Sequence, residues 1–265
     1  MNLDKFYTKP SIAGQCVDVL EDIIPLSTFT TIIEPSAGDG AFLAHLPTSR
    51  IALDIEPEAD GIVKQDWFDY AVMHTEPTLV IGNPPFGERS SLAKDFIRHS
   101  AVIGADVVAF ILPVTFKKLS NQSVNIIPKD YKLAIVHDLP RDSFLADGEE
   151  YGLTCSFFVW VKDTIAYDGK DLRKKKIKDT KDFQFLNRES GEADFCINGN
   201  NGKVKSPSEI TNKKAEHYIR ATGVSKDDLI QRFESLEYEW LSSVPGGNAW
   251  ISRQEILEAY TKKYK

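Results

Sequence analysis

The sequence is poor in sulfur and has no long apolar runs, and each shortage excludes a class of protein. Among 265 residues there are three cysteines and two methionines. Cys16, Cys155 and Cys196 lie far apart, form no CxxC pair and cannot all pair with one another. That disfavours a disulfide scaffold or a zinc module and suits a reducing cytoplasm. No stretch approaches about 18 consecutive apolar residues, so no bilayer-spanning helix is expected. The opening MNLDKFYTKP lacks the apolar core of a secretory signal. There is no internal repeat, and no His/Cys cluster offers a metal site, so none is expected. What remains is globular, with 42% hydrophobic and 27% charged residues. The length suits one sizeable α/β domain with an appendage, or two small domains.

Charge is uneven along the chain. The net value of −7 argues against non-specific nucleic-acid binding. Residues 1–165 carry 13 Lys+Arg against 23 Asp+Glu, whereas residues 166–265 carry 19 against 16. An acidic front with a mildly basic back leaves room for a local basic face, the alternative being two ordinary solvated surfaces.

The patterning of the front part is that of a parallel sheet. Thr8 is placed to cap a helix whose first turn holds Pro10, followed by Ile12, Cys16, Leu20 and Ile23 at helical spacing. Short apolar runs follow at 31–34, 51–55, 62–66, 79–82 and 107–112, most with turn residues at their C-terminal ends. Leu92, Phe96, Ile97, Ser100 and Ile103 mark an amphipathic helix between the last two. Continuous apolar runs alternating with such helices predict a parallel sheet covered on both faces. Strands around 133–137 and 155–161, with no helix between them, read as an antiparallel pair at the sheet edge. Beyond the polar stretch 168–181 the texture changes. Two strand candidates (182–187 and 192–198), a turn at 198–202 and two helix starts, Ser225 with Asp228 and Ser252 with Glu255, suggest a small α+β extension. The expected domains are therefore 1–165 and 166–265.

In open α/β sheets ligands sit beyond the C-terminal strand ends, and three polar clusters fall there. The first is Glu34-Pro-Ser-Ala-Gly-Asp-Gly-Ala-Phe42. Its glycines let the backbone approach a ligand, and a following helix would add free N–H groups. It is not GxGxxG, and a glycine turn alone can simply turn the chain. Glu34 and Asp39 would repel a pyrophosphate and suit a cationic ligand. The second is Asp54-Ile55, where an acid commonly accepts ribose hydroxyls, the alternative being a capping aspartate. Asp66-Trp67, past the third strand, offers an adenine edge and a ring to stack on, although Trp67 can equally be core. The third is Asn83-Pro84-Pro85-Phe86. Two successive prolines belong to neither a central strand nor a helix interior, so they fix a rigid loop. That loop presents the Asn83 amide, the Pro84 carbonyl and an aromatic face.

EPSAGDGAF, LDIEP, QDW and NPPF in this order resemble the S-adenosylmethionine-dependent amino-methyltransferases, and most closely the DNA adenine-N6 methyltransferases of the γ class. Phe6-Tyr-Thr-Lys-Pro-Ser-Ile-Ala13 is similar to the segment that precedes the glycine turn in this family and closes over the cofactor. The resemblance covers residues 5–162. It implies a Rossmann-like class I fold, a mostly parallel seven-stranded sheet with an antiparallel edge strand. It also implies S-adenosylmethionine as cofactor and duplex DNA with a flipped adenine as partner. Tyr7, Thr8 and Pro10 would line the methionine end. Glu34, Ser36, Gly38, Asp39 and Gly40 would hold the amino-acid and sulfonium side, Asp54 and Ile55 the ribose, Asp66 and Trp67 the adenine. Asn83, Pro84, Pro85 and Phe86 would be catalytic, with Phe86 and Phe144 stacking on the target base. The Phe144 match is loose, and a hydrophobic rim residue is its alternative. Pro35-Ser36 departs slightly from the family's commonest lettering.

The C-terminal part is where such enzymes place target recognition. Lys174, Lys175, Lys176, Lys178, Lys203 and Lys205 are candidates for phosphate contact, or else belong to a solvated linker and turn. Ribosomal-RNA adenine-N6 or guanine-N2 methylation keeps the same chemistry. The FYTKP segment and a C-terminal appendage favour DNA. Cytosine-N4 and protein-glutamine methylation, and a non-catalytic subunit with a methyltransferase fold, are further alternatives; the intact NPPF and glycine turn speak against the last. The size suits a modification enzyme of the restriction-modification kind in the cytoplasm of a bacterial or phage-infected cell. Neither a partner endonuclease nor a homodimer is legible.

Overall fold

The computed structural model describes residues 6–118, 126–146, 148–188, 190–238 and 250–265. The chain divides into two compact units, Met1–Lys174 and Lys175–Lys265. The division falls after Lys174 rather than after residue 165, because the polar stretch first grips the first unit. The Leu172 amide donates to the Leu133 carbonyl at 2.8 Å, and Asp171 accepts from the Leu133 amide at 3.1 Å.

The first unit opens with β1 (Tyr7–Thr8) and α1 (Pro10–Glu21). Pro10 occupies the first helical turn, and Ala13, Cys16, Val17 and Leu20 form the buried stripe. Thr8 does not cap this helix: it lies in β1, and Lys9 takes the cap position without a side-chain bond. Then come β2 (Thr31–Glu34), β3 (Ile51–Asp54), β4 (Val63–Lys64), β5 (Thr78–Gly82), α2 (Ser91–Val102) and β6 (Val107–Pro113). β7 (Tyr131–Asp138), the hairpin β8 (Phe144–Ala146) and β9 (Glu149–Tyr151), and β10 (Cys155–Lys162) complete it.

Seven strands form one sheet in the order β4-β3-β2-β5-β6-β10-β7. Pairing is parallel from β4 through β6, and β10 runs antiparallel to both β6 and β7. The antiparallel pair thus closes one side of the sheet, with β7 outermost. Alternation along β6 sorts side chains onto two faces: Val107, Ala109 and Ile111 pack with α1, while Val108, Phe110 and Leu112 pack with α2. β10 divides in the same way, Phe157 and Val159 against Phe158 and Trp160.

The helix expected after the glycine turn is not there. Residues Leu43–His45 make a single 3-10 turn, and Leu46 is extended at φ −107°, ψ 153°. Pro47 follows, and a residue before proline is pushed out of the helical region.

The second unit is a four-stranded antiparallel sheet, β11 (Phe183–Leu186), β14 (Glu216–Ala221), β12 (Phe195–Asn198) and β13 (Val204–Lys205) in that order. With it go α3 (Lys226–Glu234) and α4 (Arg253–Tyr264). Phe183, Phe195, Ile219, Phe233 and Tyr260 form its core. Ser225 and Ser252 cap the helices through their side chains, the latter in a full capping box with Glu255.

Candidate active site

Strand order reverses at β2 and β5, and at such a switch point the loops leaving the two strands diverge and open a crevice. Glu34 ends β2, Asp54 ends β3, and Asn83–Phe86 follow β5. The three clusters therefore meet around one cavity of about 310 Å³. Of the residues singled out from sequence, Tyr7, Thr8, Glu34, Ser36, Gly38, Asp39, Asp54, Ile55, Asp66, Trp67 and Asn83–Phe86 line it.

The glycine turn forms one wall. Gly38 and Gly40 sit at φ 52° and 86°, a region that side chains rarely adopt. The Asp54 carboxylate fastens the turn to β3, accepting the Gly38 amide at 2.8 Å and the Glu56 amide at 2.8 Å. A Cβ on Gly38 would stand 3.4 Å from the Tyr7 ring. The Tyr7 hydroxyl in turn donates to Glu58 at 2.5 Å, linking β1 to the loop beyond β3.

The electrostatics select for positive charge. Glu34, Asp39, Asp54, Glu56, Glu58 and Asp66 line the cavity, and among the described residues none that lines it is Lys or Arg. Glu34 is 2% exposed. Burial pushes its carboxyl well above the usual range; Arg50 opposes this, and the charges of Asp39 and Asp54 add to it. Burial also raises Asp39, against the pull of the backbone amides of Ala41 and Asp39. Among the described residues, four buried atoms on cavity residues have no partner: Thr8 Oγ1, Glu34 Oε2, Trp67 Nε1 and Asn83 Oδ1. Leaving such a group unsatisfied costs about 1–3 kcal/mol, which a ligand completing the bonds would offset.

The Asn83 side chain has a fixed orientation. Its Nδ2 donates to the Phe6 carbonyl at 3.1 Å, while the Ser36 hydroxyl donates to its main-chain carbonyl at 3.3 Å. Phe86 packs against the core on both faces of the sheet.

Several expectations need correction. Trp67 borders the cavity but is 1% exposed, stacked on Tyr70 at 5.6 Å with its edge contact to His99 at 4.9 Å. Asp66 spends one oxygen on the Phe68 amide at 2.9 Å. The open apolar surface here belongs to Ile55 and Phe68, 42% and 40% exposed. Phe144 is wholly buried in the α1-side core, outside the cavity, so it cannot stack on a substrate ring. Pro10 and Gly40 also lie outside the lining. Pro10 serves as the helix start and Gly40 as the turn, its amide donating to the Ala37 carbonyl at 2.7 Å. Lys174, Lys175, Lys176, Lys178 and Lys203 are exposed, but Lys205 is matched by the buried Glu216 at 3.3 Å.

Sequence reasoning gave no individual role to Phe6, Glu56, Glu58, Phe68, Leu92 and Phe96, all of which line the cavity. Phe6 and Glu56 lie inside the quoted motifs and Glu58 and Phe68 just beyond them, and that placement was the available signal. Leu92 and Phe96 read only as the apolar face of α2.

No family model matches this chain, and no curated protein does. Solved structures do resemble it. A candidate RNA methyltransferase from Pyrococcus horikoshii shares 16% identity, with a TM-score of 0.49 over 60% of this chain and 87% of that one. A candidate class I S-adenosylmethionine-dependent methyltransferase from Listeria monocytogenes shares 16%, with 0.46 over 65% and 64%. The modification subunit of a candidate type I restriction enzyme from Vibrio vulnificus shares 14%, with 0.43 over 60% and 44%. This chain spans less than two thirds of the last two proteins.

The strand order with an antiparallel penultimate strand gives the first unit the Rossmann-like class I methyltransferase fold. S-adenosylmethionine, the cofactor that the motifs imply, fits the residues present: its ammonium and sulfonium would meet the carboxylates, its hydroxyls Asp54 and Glu56, and its ring Ile55 and Phe68. Glu34 Oε2, without a partner among the described residues, and the glycine cradle are the features of this chain that would meet it.

Proposed function

We propose that this chain transfers a methyl group from S-adenosylmethionine to the exocyclic N6 of adenine in duplex DNA. The observation that carries the reading is the Asn83 amide, held by the Phe6 carbonyl with its own oxygen buried beside the cavity and without a partner among the described residues. Support for DNA comes from the FYTKP segment bordering the cavity and from a separate, more basic second unit.

An amino nitrogen on an aromatic ring is a poor nucleophile, because its lone pair is delocalised. The Asn83 Oδ1 and Pro84 carbonyl oxygens each accept one of its N–H groups. This draws the nitrogen towards tetrahedral geometry, frees the lone pair and stabilises the positive charge that develops there. Fixed dipoles of this kind contribute about 10²–10³ in rate each. The two prolines stiffen the backbone that carries both acceptors and the Phe6 carbonyl holds the Asn83 amide, so little reorganisation accompanies the step. Glu34 and Asp39 would hold the cofactor's cationic end, Asp54 and Glu56 its ribose, Ile55, Asp66 and Phe68 its adenine. When bound, S-adenosylmethionine supplies an electrophilic methyl group. The target base must leave the duplex to reach this site, at a cost of about a few kcal/mol, which stacking on Phe86 offsets.

Asn83→Ala tests the reading. Turnover is expected to fall by about 10²-fold or more, with cofactor affinity by calorimetry largely intact. Near-normal turnover in that variant would contradict the role given to Asn83.

A further inference from the structure

An asparagine amide has two orientations of almost identical shape, differing in which end presents oxygen. Only one of them suits an amino acceptor. With Nδ2 turned to the cavity, donor would face donor. Whatever selects the orientation of Asn83 therefore selects whether the site works. Its one side-chain hydrogen bond within the described residues runs from Nδ2 to the Phe6 carbonyl.

Phe6 is itself held from outside the cavity. Its ring stacks on Tyr151 with centroids 4.7 Å apart and planes 29° from parallel. The next residues pair with the hairpin, Tyr7 opposite Leu145 and Thr8 opposite Phe144. The Lys9 amide donates to the Ser143 carbonyl at 3.0 Å. The Lys9 ammonium lies 2.6 Å from Glu150 and 3.5 Å from Asp142. A backbone ladder, an ion pair and a ring stack thus join residues 6–9 to the segment 142–151, whose described residues do not line the cavity.

We infer that the β8–β9 hairpin, acting through Phe6, fixes the amide of Asn83 in its acceptor orientation, and that Tyr151 is a positioning residue for the transfer. This rests on the methyl-transfer reading above. It also gives strands β8 and β9 a task that does not depend on Phe144 touching the substrate. The cofactor side of β1 is anchored separately, through the Tyr7 hydroxyl on Glu58. Loosening Phe6 should therefore separate turnover from cofactor affinity.

Tyr151 is 44% exposed, so Tyr151→Ala should fold. Three quantities are to be measured on the full chain: kcat for methyl transfer, cofactor Kd, and NMR exchange protection of the Asn83 side-chain amide protons, assigned from their loss in Asn83→Ala. Tyr151→Ala is expected to lower kcat by about ten- to a hundredfold, the scale of a small misplacement in a reacting group. Cofactor Kd should hold and the amide protection should be lost. Tyr151→Phe, which keeps the ring, should restore both turnover and protection. A parallel fall in kcat and cofactor affinity overturns the proposal, making β1 a cofactor clasp only. So does a fall in kcat with the amide still protected, or lost protection with kcat unchanged. If wild-type protein binds cofactor but methylates no acceptor, the reaction itself fails and the positioning role falls with it. The amide protection needs no turnover, so it tells that failure from the others.

Discussion

Burial keeps the Glu34 carboxyl protonated to a higher pH than in the unfolded chain, with Arg50 pulling the other way and Asp39 and Asp54 reinforcing it. The folded state then binds the extra proton. Its contribution to stability is full below about pH 4.5, the unfolded value, and is lost as pH rises through the raised folded value. Glu34→Gln removes that loss. The ligand-free variant is expected to melt higher than wild type, with a margin that grows between pH 5 and pH 8 on the order expected of a buried acid. It should also bind S-adenosylmethionine about tenfold or more weakly, having lost a charge-assisted bond. Melting curves across pH and calorimetry check both. A margin that shrinks with pH would contradict the buried-acid account. At this scale residue identity was legible but depth was not. Trp67 and Phe144 carry the right ring chemistry, yet one is 1% exposed and the other fully buried. Lys205 reads as a phosphate contact until Glu216 is found beside it. A letter gives a side chain's chemistry; its neighbours across the sheet decide what surface is left.

Among the elements, the turn between β2 and β3 ties the cofactor wall to the sheet. Gly38→Ala places a side chain at φ 52°, a strain of about 1–2 kcal/mol. It is expected to cost roughly that in stability and about tenfold in cofactor affinity, since the same turn borders the cavity. Gly191→Ala is the control. Its φ is 65°, with open space around the added carbon, and it lies in the second unit. Comparable destabilisation with unchanged affinity is expected there, and equal affinity losses in the two variants would remove the turn from the binding site. The strand ends were legible because Gly, Pro and acidic residues punctuate each apolar run. The missing helix after Gly40 was legible in principle, through Pro47. The hairpin on which β1 docks was not, since its pairing with Tyr7 and Thr8 spans well over a hundred positions of sequence.

For the molecule as a whole, an acidic first unit carries the cavity, and a more basic second unit follows it. Lys174, Lys175, Lys176, Lys178 and Lys203 are exposed. If they meet phosphates, replacing Lys174, Lys175 and Lys176 by Gln should reduce the slope of log affinity for DNA against log salt by about one to three units, at about 0.9 per contact. An unchanged slope removes them from the interface. The central claim is transfer to adenine N6 in DNA. Its most direct test is mass spectrometry of nucleosides from unmethylated duplex DNA, and in parallel ribosomal RNA, incubated with the chain and labelled S-adenosylmethionine. The result expected is N6-methyladenine in the DNA, absent with Asn83→Ala. Label confined to RNA, or to a different nucleoside, would contradict the substrate, and label in neither despite cofactor binding would contradict the reaction.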